Sequence, residues 1–206
     1  MPKAWDIAKR VILGFCLKSN TGFCRWPKIQ FNFNEHNQSL EDLESYYDDV
    51  KAAIDLKYSK ANPYYTSDFQ MMTDSEVETE RDENYLELSR EASMAILAFV
   101  ESLFRTDFII RCELKKSDKL SKRYRHTYNP AKRIYTYSYN DVVLDGWVQL
   151  YPEEKNLINE LKEANNYRNW LAHGRYWQFK DNPAKYKIEK IRDLAHRIQT
   201  AFGSEL

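Results

Sequence analysis

The run from Ser75 to Cys112 most narrows what this chain can fold into. Leu88, Ala92, Ala95, Phe99 and Leu103 recur at spacings of three and four, and Leu97, Phe104 and Phe108 form a second row beside them. That is the repeat of one long helix with a broad apolar face, charged in its early turns. Glu101 interrupts the second row. An acid among apolar residues either pairs with Arg105 one helical turn on or orients a residue of a site, so it is kept as a possible orienting acid.

A second helix begins at Ser39, where Ser39-x-x-Asp42 resembles a capping box. Leu40, Leu43, Tyr47, Val50 and Ile54 supply its inner face, and Asn62-Pro63 ends it or follows its end. Tyr151-Pro152-Glu153 opens a third helix with the inner row Leu157, Leu161, Ala164, Arg168 and Leu171, and Gly174 is placed to stop it. Asn182-Pro183 caps a last helix with the row Ile188, Ile191, Ala195, Ile198 and Phe202. A short amphipathic helix is expected over 3–17 and a loop over 18–38. With only five glycines in 206 residues, the chain reads as all-α rather than as a turn-rich β fold. It is read as a single domain over 1–206, with 1–70 as an N-terminal helical extension. The stretch 113–140 is a basic, tyrosine-rich insertion between core helices. Tyr135, Tyr137 and Tyr139 alternate there, which permits a short strand.

The net charge is zero, so overall charge selects no partner, but the charges are segregated. Acids dominate Glu35 to Glu91. From Lys115 to Arg133 the bases are Lys115, Lys116, Lys119, Lys122, Arg123, Arg125, Lys132 and Arg133, against Asp118 alone. Basic residues interleaved with Tyr124, His126 and Tyr128 suit a nucleic-acid backbone. Lys122, Arg123, Arg125 and His126 are therefore candidate RNA contacts, as is Arg175. Cys16, Cys24 and Cys112 form no Cys-x-x-Cys pair and read as free thiols of a reducing compartment. Val11 to Leu17 is too short to cross a membrane and no cleavage signal follows it, so a cytoplasmic location without membrane association is expected. No His-x-His, His-Glu-x-x-His or paired cysteines suggest a metal, and no cofactor is implied.

The chemistry concentrates in NYRNWLAHGRYW, residues 166–177. Arg168 lies on the inner row, where a guanidinium must pair or face an anion. His173 follows five positions later. On an ideal helix that is about 140° round the axis and about 7.5 Å along it. The two side chains would meet only if the helix ended between them, and Gly174 offers such an ending. Arginine grips phosphate by paired hydrogen bonds, and histidine takes or gives a proton near neutral pH. Together they suit RNA cleavage, where the ribose 2′-OH is an internal nucleophile needing a base, an acid and charge stabilisation at phosphorus.

Arg168-Asn169-Trp170-Leu171-Ala172-His173 resembles the Arg-x(4–6)-His signature of the HEPN superfamily, in which a polar residue commonly follows the arginine. The context is also similar: the motif closes a late helix, after a long helix containing ESLFRTDF. The resemblance covers residue 75 to the C-terminus, without the Lys115–Asn140 stretch. It implies a compact HEPN-like helical bundle. It also implies a metal-independent endoribonuclease of a toxin–antitoxin or phage-defence system, or else a non-catalytic module that binds a partner protein, a nucleotide or nucleic acid. Under it His173 is the acid or base, Arg168 holds the phosphate and Asn169 positions the substrate or the arginine. RNA, a cognate antitoxin and a second copy of the chain are the implied partners, because family sites form at dimer interfaces. Members paired with a nucleotidyltransferase antitoxin carry a modifiable tyrosine two residues after the histidine. Here that position is Arg175, and Tyr176 stands one further on.

Overall fold

The computed structural model describes residues 38–114, 117–129, 131–203 and 206, and the expected helix over 3–17 lies outside them. Among the described residues there is no strand. The helices are α1 (Leu40–Lys57), α2 (Tyr65–Phe69), α3 (Asp74–Glu113), α4 (Lys119–Thr127), α5 (Asp145–Leu150), α6 (Lys155–Ala172) and α7 (Ile188–Phe202). The chain divides into two compact units. One comprises 99–163 and 196–206; the other comprises 39–98 and 164–195.

The local rules act as the sequence implies. Ser39 Oγ accepts from the Asp42 amide at 3.0 Å while the Asp42 carboxylate accepts from the Ser39 amide at 2.9 Å, a closed capping box that starts α1. Pro152 opens a 3₁₀ turn that runs into α6. Asn182 caps a 3₁₀ turn over Pro183–Tyr186, and α7 itself begins only at Ile188. All five residues of the expected α7 row are buried. On α3 the deeper row is Ile96, Leu97, Val100, Phe104 and Phe108, while Ala92, Ala95, Phe99 and Leu103 are half-buried.

The unit of 99–163 and 196–206 is built round three aromatic rings. Phe104 and Trp147 meet edge to face at 5.5 Å, Trp147 and Phe202 at 5.2 Å, and Phe104 and Phe202 at 5.9 Å. Within the basic stretch Asp118 caps α4, which buries Leu120, Ser121 and Tyr124, and Tyr124 packs on Phe108 at 4.7 Å. One expectation is corrected here. The tyrosine alternation is not a strand. Residues Ile134–Thr136 make a 3₁₀ turn, and Tyr139–Leu144 a π-helical stretch started by Ser138, so Tyr137 and Tyr139 are buried while Tyr135 stays exposed. A period of two would have put all three on one face.

Within this unit the buried Arg111 donates through Nε to both carboxylate oxygens of buried Asp107, at 2.8 and 2.6 Å, and lies over the Trp147 ring. Cys112 is buried, and burial pushes its thiol up to about 12.

The unit of 39–98 and 164–195 brings α1, the early turns of α3, the end of α6 and the start of α7 together. Arg192 donates to Glu44 at 3.1 Å and to both oxygens of Asp48 at 3.1 Å. A small core of Tyr58, Phe69 and Val77 packs with Ile54, Tyr65 and Met72.

Gly146 on α5 leaves no room for a side chain. A Cβ there would stand 2.4 Å from Tyr124 Cε1. Tyr124 cannot yield easily, because it is buried and its hydroxyl donates to the Val143 carbonyl at 2.7 Å. Gly146→Ala is expected to destabilise the chain by about 1–3 kcal/mol, read as a lower urea midpoint with an unchanged m-value. An unchanged midpoint would contradict this packing.

Candidate functional site

Helix α6 ends in a way that fixes the residues after it. The His173 amide still donates to Asn169 O at 3.0 Å, as in a continuing helix. Gly174 N–H then donates to Leu171 O at 3.0 Å and Arg175 N–H to Trp170 O at 3.1 Å. These are the two bonds of a Schellman cap, with His173 as the cap residue. Gly174 has φ 77° and Arg175 φ 58°. Glycine takes that conformation freely, whereas in arginine it costs on the order of 1 kcal/mol. Helix α6 itself stops at Ala172, so His173 stands at its capped end, with Gly174 directly after it.

The aromatic richness of 166–177 has two jobs. Tyr167 and Trp170 face inward and stack with Phe179 and Tyr186, Tyr167 lying parallel to Tyr186 at 4.7 Å and Trp170 5.3 Å from Phe179. Trp170 Nε1 donates to Trp177 O at 2.8 Å. These contacts hold the segment after the cap against α6. Tyr176, by contrast, is 81% exposed and Trp177 38%. The His173 ring is exposed and sits 6.0 Å from the Trp177 ring.

Arg168 is half-buried rather than inward, since Tyr167 and Trp170 occupy the inner face with larger apolar rings. Its Nη1 donates to Asn169 Oδ1 at 3.1 Å, so the first two residues of the motif contact each other. Arg175 reaches α3, where its Nη1 donates to Glu87 Oε2 at 2.7 Å. The same oxygen accepts from Arg90 Nη1 at 3.0 Å. Arg175, Glu87 and Arg90 line an open groove of about 470 Å³ with Glu83, Asn84 and Leu86.

The remaining sequence candidates fall in the other unit. Glu101 accepts from Arg105 Nε at 2.6 Å, the one-turn pair its position allowed, and Arg105 Nη1 also donates to Tyr137 O at 3.2 Å. Lys122 and His126 are exposed on α4, while Arg123 and Arg125 are half-buried and Arg123 bonds Gln149. Among the described residues, no group of three or more His, Cys, Asp and Glu side chains is placed to hold a metal ion, and no helix is long and apolar enough to cross a membrane.

Glu87 and Arg90 escaped the sequence reading. They lie in the charged early turns of α3, which read as a solvated face, and Arg175 is 88 positions away in the chain. Compared with family models, curated proteins and solved structures, the chain matches none.

The hydrogen bond from Arg175, opposed by partial burial and aided by Arg90, holds the Glu87 carboxyl below its ordinary range. A lowered folded value means that the stabilisation is complete above the unfolded carboxylate pKa of about 4.3 and is lost as pH falls through the folded value. Wild type is thus expected to exceed Glu87→Gln by up to about 1 kcal/mol at pH 7, the pair being half-exposed, and to match it near pH 2. Urea unfolding of both at the two pH values measures this, and a gap that persists in acid would contradict it.

Proposed function

We propose that this chain is a metal-independent endoribonuclease that cleaves RNA through its own 2′-OH. The observation that carries the reading is the presentation of His173. Its imidazole is exposed at the C-terminal cap of α6, one turn and a half after an arginine already bonded to the motif asparagine. A rigid cap under an exposed imidazole suits a group that must meet a substrate proton at fixed geometry.

In this reading a base removes the 2′-OH proton as the oxygen attacks phosphorus. Arg168 holds the non-bridging oxygens, and Asn169 keeps the guanidinium oriented. The P–O5′ bond breaks and the leaving oxygen takes a proton, giving a 2′,3′-cyclic phosphate and a 5′-hydroxyl. Two proton transfers call for two groups, and each chain supplies one histidine in the motif. A two-fold homodimer places a second motif at the cleft, so that Arg168 of one copy serves beside His173 of the other. Such an activity needs restraint in its host, which fits a toxin or phage-defence setting with an antitoxin protein.

The test is purified protein with single-stranded RNA in EDTA. Fragments ending in 2′,3′-cyclic phosphate are expected, with His173→Ala and Arg168→Ala each slower by roughly 10²–10⁴-fold. Light scattering at micromolar concentration is expected to give a dimer mass. Intact RNA, or cleavage indifferent to both substitutions, would instead favour a non-catalytic binding module.

A further inference from the structure

Glu87 offers one carboxylate oxygen to two guanidinium groups. Oε2 accepts from Arg175 at 2.7 Å and from Arg90 at 3.0 Å, while Oε1 takes no part in either bond. Each guanidinium has five donors in a planar fork, so a single shared oxygen leaves most of that capacity for other acceptors. The three side chains are 46% (Glu87), 26% (Arg90) and 36% (Arg175) exposed, so the cluster sits at the wall of its groove, not in a core. Surface pairs of this kind are weak, at about 1 kcal/mol or less, and a competing anion can displace one.

The charges of the cluster suit a phosphodiester. A carboxylate and a phosphodiester each carry one negative charge, but the phosphodiester presents two non-bridging oxygens and can engage both arginines in full. Arg90 also stands close to Tyr167, whose ring is stacked on Tyr186. Arg175 is held in a left-handed conformation by the cap, which a random surface arginine would avoid. The groove is open, has room for a nucleotide, and includes Leu86, which is 52% exposed. Directly after Arg175 come Tyr176 and Trp177, exposed rings suited to stacking unpaired bases. Glu83 also lines the groove and opposes an anion there.

We propose that Arg90 and Arg175 form a subsite for the backbone phosphate of single-stranded RNA, with Glu87 standing in for that phosphate until RNA displaces it. Arginine pairs recognise phosphate from a strand or from a free nucleotide alike; the adjoining aromatic pair favours the strand. This deepens the ribonuclease reading and rests on it for the choice of RNA, but it concerns binding alone.

The experiment is fluorescence anisotropy of a labelled 2′-O-methyl RNA oligomer, which cannot be cut, against the full chain over a KCl series. Glu87→Gln is expected to bind up to about fivefold tighter, because the internal competitor is removed. Arg90→Ala and Arg175→Gly are expected to bind about tenfold more weakly, each lowering the salt slope by about 0.7. Arg175→Gly removes the guanidinium while accepting the left-handed backbone, so it keeps the test valid if Arg90→Ala fails to fold. Unchanged or weaker binding in Glu87→Gln, or an unchanged salt slope in Arg175→Gly, would overturn the proposal. So would equal competition by ATP and by the oligomer, which would make this a free-nucleotide site. If these binding changes appear while His173→Ala cuts RNA as fast as wild type, the subsite stands and the catalytic reading falls.

Discussion

Every α-helix leaves its last carbonyl groups without partners inside the helix, and how they are satisfied decides what the next residues can do. In α6 the Trp170 and Leu171 carbonyls accept from Arg175 and Gly174, and that single cap places two functional candidates. His173 becomes the cap residue and faces solvent. Gly174 supplies the left-handed turn that needs no side chain. Arg175 is carried round to α3 and meets Glu87. Were the helix to run on, the imidazole would be one more residue on its side, and Arg175 would have no reason to meet an acid in the early turns of α3.

The cap is itself supported. Tyr167 and Trp170 lie in the last two turns of α6 and stack on Phe179 and Tyr186 from the returning segment. Buried aromatics contribute both area and edge-to-face geometry, so this cluster resists fraying at a helix end that would otherwise be loose. The same stretch of sequence thus splits its aromatic residues by role: two hold the backbone and two, Tyr176 and Trp177, remain at the surface beside the polar residues.

Much of the fold was legible because its helices are periodic and well bounded. α3 runs from Asp74 to Glu113, one residue beyond the expected limits at each end, since its apolar rows are long and unambiguous. The capping box at Ser39 and the row from Ile188 to Phe202 were equally plain. α4 was not, because nine residues with only Leu120 and Tyr124 as inward apolar anchors look like a charged loop. The alternating tyrosines misled for a related reason: a period of two over so few residues also arises where short turns point side chains unequally. At the site, the motif, its helix and its stop were readable. The choice of Tyr167 and Trp170 over Arg168 and Leu171 for the inner face was not, because it is set by partners at Phe179 and Tyr186 that arrive from beyond the helix. The same holds for the Glu87 contact, which joins residues far apart in sequence.

The central claim is that the capped end of α6 is where RNA is engaged. The chain has four histidines, so ring-selective ¹³C labelling gives a spectrum that can be assigned by substitution. Titration with a 2′-O-methyl RNA oligomer should move the His173 ring resonances saturably while those of His196, exposed on α7, stay in place. Resonances of His173 that remain still while RNA saturates the protein, with the response confined to His126 on α4, would contradict it.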